Sequence, residues 1–179
     1  MIETERLLLR PWREGEQAAL AAVNGDPRVS DWLGGPIDRA ASDALFDRLV
    51  AHQAKYGFCA WAAERKADGR ILGLIGLGVV TAESLPVGPA VEMAWRLSPD
   101  AWGAGYATEG AQAALDWGFD NLDLSEIIAF TARTNLRSQA VMRRIGMQAD
   151  PARDFDHPRV AADSPLRPHV VFAIPRPAS

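Results

Sequence analysis

The chain predicts a mixed α/β domain, one sheet with helices on both faces, and three observations lead there. Val91, Met93, Trp95 and Leu97 alternate with Glu92, Ala94 and Arg96, the two-residue period of a strand. Ala107, Ala111, Ala114, Leu115 and Gly118 fall on one helical face, with Glu109, Gln112, Asp116 and Asp120 largely opposite. Runs of both kinds follow one another through 179 residues without a repeat or a dividing linker, which suits a single domain over 1–179.

In chain order, Arg6 to Arg10 reads as an opening strand stopped by Pro11. Glu14 to Val23 is alanine-rich and helical, with acidic residues in its first turn. Asp31 to Pro36 is a flexible turn that exposes Trp32, and Asp38 to Tyr56 returns to helical spacing. Phe58 to Arg65 and Ile71 to Val80 form a hairpin around Asp68-Gly69, a pair suited to a tight turn. A Pro/Gly loop, Glu83 to Pro89, leads into the alternating strand already described. After a glycine-containing turn and its helix come a strand near Glu126 to Thr131 and a helix from Asn135 to Ile145. Gly146 ends that helix as a left-handed cap, with Arg143 and Arg144 at the negative end of the helix dipole. Pro151 to Pro168 reads as a long loop, and His169 to Ile174 as the last strand.

Composition narrows the function. Hydrophobic residues at 48% and charged ones at 23% allow a full core. A net charge of -4 argues against a nucleic-acid partner held by phosphate neutralisation. No apolar run reaches the ~18 residues of a membrane span, and charged residues precede any apolar run at the N-terminus. The expectation is a cytoplasmic protein without membrane or nucleic-acid partners. The one cysteine, Cys59, lies in an apolar setting and reads as core packing. Three scattered histidines lack ligand spacing, so no metal site is expected.

The turn Trp102-Gly103-Ala104-Gly105-Tyr106-Ala107-Thr108-Glu109 carries the chemistry. Gly103 and Gly105 allow backbone to approach a ligand closely, and the free N–H groups opening the helix suit a pyrophosphate. A dinucleotide fingerprint would want a small residue at Thr108, and a phosphate-loop NTPase would want Gly-Lys-Ser/Thr, which is absent. A plain strand-to-helix turn remains the bland alternative. Asn135 and Ser138 open the later helix, where capping accounts for at least part of their role.

Glu92 through Glu109, followed by Thr131 through Ser138 and Ile145-Gly146-Met147, resembles the acetyl-CoA-binding core of the GNAT superfamily. Thr4 through Trp12, Asp154 through Pro158 and Leu166 through Phe172 resemble the opening and closing segments of its RimJ/RimL-like branch. The resemblance implies a mostly antiparallel central sheet with one splayed strand pair. It implies an acetyl-CoA-dependent N-acetyltransferase acting on a primary amine, a protein N-terminus or a small molecule, by direct attack in a ternary complex. The alternative is a non-catalytic acyl-CoA-binding regulatory module. By the same resemblance the pantetheine arm lies beside Met93, Trp95 and Leu97, with a strand N–H near Met93 or Ala94 facing the thioester carbonyl. The pyrophosphate rests on Trp102, Gly103, Ala104, Gly105, Tyr106, Ala107 and Thr108. Asn135 reaches the pantetheine or pyrophosphate, and the Ser138 hydroxyl lies near the sulfur. Where many members carry a tyrosine acid, this chain has Met142, which cannot donate a proton. Trp102 stands where the superfamily usually has Gln or Arg.

Glu92 is the candidate general base, with an ion pair to Arg96 as its structural alternative. Glu109 is expected to be structural. His157 either lines the acceptor pocket or fixes its loop; Trp32 and Tyr56 either wall the pocket or pack in the core. Exposed edge strands and the closing segment are compatible with a homodimer.

Overall fold

The computed structural model describes residues 1–177. Its strands are β1 (Ile2–Glu3), β2 (Leu7–Arg10), β3 (Ala60–Arg65), β4 (Ile71–Val80), β5 (Ala90–Leu97), β6 (Glu126–Ala132), β7 (Gln148–Ala149), β8 (Phe155–Asp156) and β9 (Pro168–Pro175). Its α-helices are α1 (Gln17–Asn24), α2 (Pro27–Ser30), α3 (Arg39–Tyr56), α4 (Tyr106–Asn121) and α5 (Leu136–Arg144). The strands form one sheet in the order β1-β2-β3-β4-β5-β6-β9-β7, with β8 also on β9. Every pairing is antiparallel except β5 with β6.

That exception shapes the molecule. β4 and β5 pair continuously from Gly73↔Leu97 to Val80↔Ala90, whereas β5 and β6 meet only at Glu92↔Ile128. Beyond that bridge the two parallel strands part, and among the described residues β5 has no strand neighbour on that side. The expected splayed pair is therefore present, at the expected strand.

Strand alternation assigns the faces. Leu7, Ile75, Leu77 and Ile127 meet α4, where a Cβ on Gly110 would lie 2.5 Å from Ile75 Cδ1, so the helix rests directly on the sheet. Met93 and Trp95 pair with Leu77 and Ile75 and share that face. Glu92, Ala94 and Arg96 take the opposite face, toward α1 and α3. The core joins Leu7, Leu9, Ile75, Leu77, Met93, Leu115, Ile127 and Phe172, all nearly inaccessible to water. Burying each such side chain is worth about 1.5–3 kcal/mol.

Several boundaries move. Helix α1 starts at Gln17, with no acidic residue in its first turn, because Glu16 accepts from the buried Arg10 guanidinium (Nη2–Oε1 2.6 Å). Arg10 is shared with Glu64 (2.6 Å), an ion cluster that strand patterning does not reveal. The Asp31–Pro36 turn holds a short 3₁₀ segment, Asp31–Leu33, preceded by α2, which Asp26 caps and Pro27 opens. The Pro151–Pro168 loop contains β8, and β1 was too short to carry a periodic signal. Gly146 adopts the expected left-handed conformation (φ 83°). Cys59 is buried, and burial pushes its thiol up to about 12, an inert state. No helix among the described residues is long and apolar enough to cross a membrane.

Candidate active site

A cleft of about 1460 Å³ opens where β5 and β6 part. One wall consists of the turn after β5 and the start of α5; the other comes from side chains on the α1–α3 face of the sheet.

The first wall is built locally. Leu97 leads through a 3₁₀ turn, Pro99–Ala101, to Trp102, whose indole N–H donates back to the Leu97 carbonyl (2.9 Å). Gly103 (φ 75°) and Gly105 (φ 85°) adopt the left-handed backbone that L-residues avoid, and Gly105 caps α4. The cap has no side chain to satisfy the opening N–H groups of α4, which are left to an anion. Glu109 does not face that anion site. It accepts from Thr4 Oγ1 (2.5 Å), the Arg6 backbone N–H (2.8 Å) and Arg6 Nε (2.6 Å). Arg6 in turn donates to the Ala104 carbonyl (2.9 Å) and stacks on the Tyr106 ring (4.6 Å). Glu109 is thus structural, as expected, and the Arg6 buttress went unread because its partners lie about a hundred residues away.

Ladder alternation turns the backbone groups of Met93, Trp95 and Leu97 toward β6 and those of Ala94 toward β4. Trp95 and Leu97 lie past the single bridge; with the Leu97 carbonyl taken by the Trp102 indole, the Trp95 backbone groups and the Leu97 N–H are the ones turned to the gap. Of the two expected carbonyl donors, Ala94 is thereby removed.

Asn135 caps α5: its Oδ1 accepts from the Ser138 N–H (3.2 Å). The same amide donates from Nδ2 to the Ser138 and Thr131 hydroxyls (both 3.2 Å). Because Ser138 Oγ accepts from Asn135, its own proton is free to be donated into the cleft it lines. Arg137 lies over the Trp102 ring (5.1 Å) at the same end. Met142 lines the cleft while being buried, a wall atom without a proton to give.

The second wall gathers distant segments. Glu92 is half-buried and forms no ion pair within 4 Å among the described residues. The Arg96 alternative therefore does not hold; Arg96 Nη1 donates to Asn24 Oδ1 instead (2.6 Å). Desolvation pushes the Glu92 carboxyl up to about 8, against the weaker opposing pull of Arg159 and Arg96. Phe130, His157 and His169 line the same wall, with the two imidazoles 4.8 Å apart. Burial, then repulsion between His157 and His169 when both would be protonated, then the charge of Arg159, depresses His157 to about 4, and burial lowers His169 also. Both rings are neutral at ordinary pH. Trp32, Leu33 and Ile37 close this side. Tyr56 does not: it packs on His52 (4.5 Å), away from the cleft. No cluster of three metal-ligating side chains occurs among the described residues.

A splayed parallel pair above a glycine turn at a helix N-terminus, facing a lone desolvated carboxylate, defines a class. The family model of the "Acetyltransferase (GNAT) domain" matches residues 6–148. Bacillus subtilis YkkB is 30% identical over 145 residues, covering 80% of this chain and 83% of that protein. An Aspergillus fumigatus protein named FsC-acetyl coenzyme A-N(2)-transacetylase is 35% identical over 152 residues, 82% of this chain and 64% of its own length. A crystallised acetyltransferase from Agrobacterium tumefaciens superposes with a TM-score of 0.77 at 29% identity, covering 97% of this chain and 92% of its own. The chain belongs to the GNAT acetyltransferase family. It is an N-acetyltransferase, and enzymes of this family draw their acetyl group from acetyl-CoA.

Proposed function

We propose that the protein acetylates a primary amine by direct attack in a ternary complex, in the manner of the RimJ/RimL-like branch. Glu92 is the base and Ser138 the donor to the leaving sulfur. The observation that carries this reading is the single β5–β6 bridge, which leaves Trp95 and Leu97 facing a gap that ends at the glycine turn. Acetyl-CoA supplies an activated acetyl group as a thioester.

The protein's part is to hold and to move protons. Backbone groups of Met93, Trp95 and Leu97 take the pantetheine as an added strand, and a strand N–H at the mouth of the gap polarises the thioester carbonyl. N–H groups from Gly103 to Thr108 take the pyrophosphate, with Trp102 and Asn135 beside them. Glu92 accepts the amine proton directly or through one water, and a base near 8 matches an amine being deprotonated. The new N–C bond forms as the C–S bond breaks, and the sulfur takes a hydrogen bond from Ser138. A thiolate is a tolerable leaving group with that help, without a tyrosine at position 142.

The test is a library of primary amines assayed for thiol release with acetyl-CoA. Intersecting double-reciprocal lines and no acetylated enzyme on a mass spectrum are expected. Parallel lines, or a covalently acetylated protein, would overturn the ternary-complex reading.

A further inference from the structure

Building on the transfer reading just given, we propose that the acceptor amine carries a carboxylate, and that Arg96 is the residue that recognises it. Arg96 projects from β5 toward α1 and lines the cleft on the same strand face as Glu92. Its guanidinium makes one hydrogen bond among the described residues, to Asn24 Oδ1. Asn24 is itself inaccessible to water, and its Nδ2 donates to Ser42 Oγ (2.8 Å), which fixes the amide's orientation. The file Ser42–Asn24–Arg96 therefore presents, on a residue that lines the cleft, a positioned guanidinium whose other donors, of the five such a group carries, have no partner among the described residues.

A guanidinium with one neutral partner and no carboxylate within 4 Å is costly to keep there. Desolvation pulls Arg96 down to about 10, with Glu92 opposing. A ligand carboxylate would offset that cost through a paired, charge-assisted contact. The remaining charges agree. Of the two acidic residues lining the cleft, Glu109 is consumed by Arg6 and Thr4, which leaves Glu92 alone. Arg159, exposed at the rim, forms no salt bridge among the described residues and adds a second cation. On the Glu92 side of the cleft, away from Arg137 and Arg144 on α5, one carboxylate faces Arg96 and Arg159, a balance that is wrong for a polyamine and right for an amino-acid-like acceptor. Its amine turns to Glu92, its carboxylate to Arg96, and its body to Trp32, Leu33 and Ile37. The product would be an N-acetylated amino acid, with CoA released as the thiol.

Matched acceptors test this: L-phenylalanine against L-phenylalaninamide and phenethylamine, and L-leucine against L-leucinamide, each with saturating acetyl-CoA. In parallel, N-acetyl-L-phenylalanine and its amide are titrated calorimetrically into CoA-loaded protein. The carboxylate member is expected to lead by tenfold or more in kcat/KM or affinity. Arg96→Gln should bring it down to the amide's level while acetyl-CoA affinity stays within a few fold. If that variant fails to fold, the wild-type comparison stands, and Arg159→Ala should cut the preference by a smaller factor. Amides or plain amines doing as well, or no member being bound or turned over by protein that binds acetyl-CoA, would overturn this inference alone. Protein that does not bind acetyl-CoA at all would overturn the transfer reading and this one together.

Discussion

The two walls of the cleft are made in different ways. The turn-and-helix wall is contiguous: Trp102 to Glu109 is one stretch of chain, and Asn135 and Ser138 are three residues apart on one helix start. Its donors are mostly backbone, so residue identity matters chiefly where a side chain would be in the way. The opposite wall is assembled from β5, β6, β9, the Asp31–Leu33 turn and the loop around Arg159, and its donors are side chains. A wall of backbone groups suits a ligand common to a whole family, whereas a wall of scattered side chains can change its ligand by substitution. The first wall should therefore fail by backbone strain and the second by loss of charge.

The sharpest way to separate them is Glu92→Gln. Activity should fall by about 10²–10⁴, the usual worth of a positioned base, while acetyl-CoA affinity is unchanged. In the wild type, kcat/KM should rise with pH through a limb near 8, set by Glu92. Steady-state profiles of both proteins check this, and a limb that survives in the variant removes Glu92 as the base. Gly105→Val attacks the other wall. A β-branched residue at φ 85° is strained, and acetyl-CoA affinity by calorimetry should drop about tenfold or more, with the pH limb kept where activity is measurable.

Smaller effects refine the comparison. Ser138→Ala should lower kcat by a few fold to about tenfold, with acetyl-CoA affinity within a few fold, as expected for one hydrogen bond to the sulfur. An unchanged kcat would take Ser138 out of the chemistry. Arg6→Ala releases the Ala104 carbonyl and Glu109 and should weaken acetyl-CoA binding by a few fold without altering the acceptor preference. The last effect is on stability. The Glu92 pKa is raised on folding, so the protonated state is the one the fold favours. Stability on this account is fully present below the ordinary glutamate range and is lost as pH rises toward 8. Thermal melts should show Glu92→Gln gaining on the wild type over that interval by roughly 1 kcal/mol or more.

The same contrast explains what could be read from the chain. Strand alternation over Val91–Leu97, the glycine turn, the α4 pattern and the Asn135 cap are local signals, and each element formed within a residue or two of its expected place. Misplacements came from tertiary contacts. Glu16 is drawn out of its helix start by Arg10, and β1 and β8 exist only because longer strands lie beside them. In the acceptor wall, Glu92 and His157 could be singled out by residue type, but the Asn24–Arg96 contact joins residues seventy-two apart and leaves no periodic trace. The Glu92–Arg96 ion pair looked natural at a spacing of four along a strand face. It fails because Asn24, on a helix elsewhere in the sequence, reaches the guanidinium first.

The gap beyond the Glu92↔Ile128 bridge, ending at Gly103 and Gly105, is the proposed seat of the cofactor. Calorimetric titration with acetyl-CoA, against ATP and NAD as controls, tests it most directly. Micromolar binding, selective for acetyl-CoA and weakened by Gly105→Val, is expected. Equal affinity for the controls, or acetyl-CoA binding that Gly105→Val leaves untouched, would contradict it.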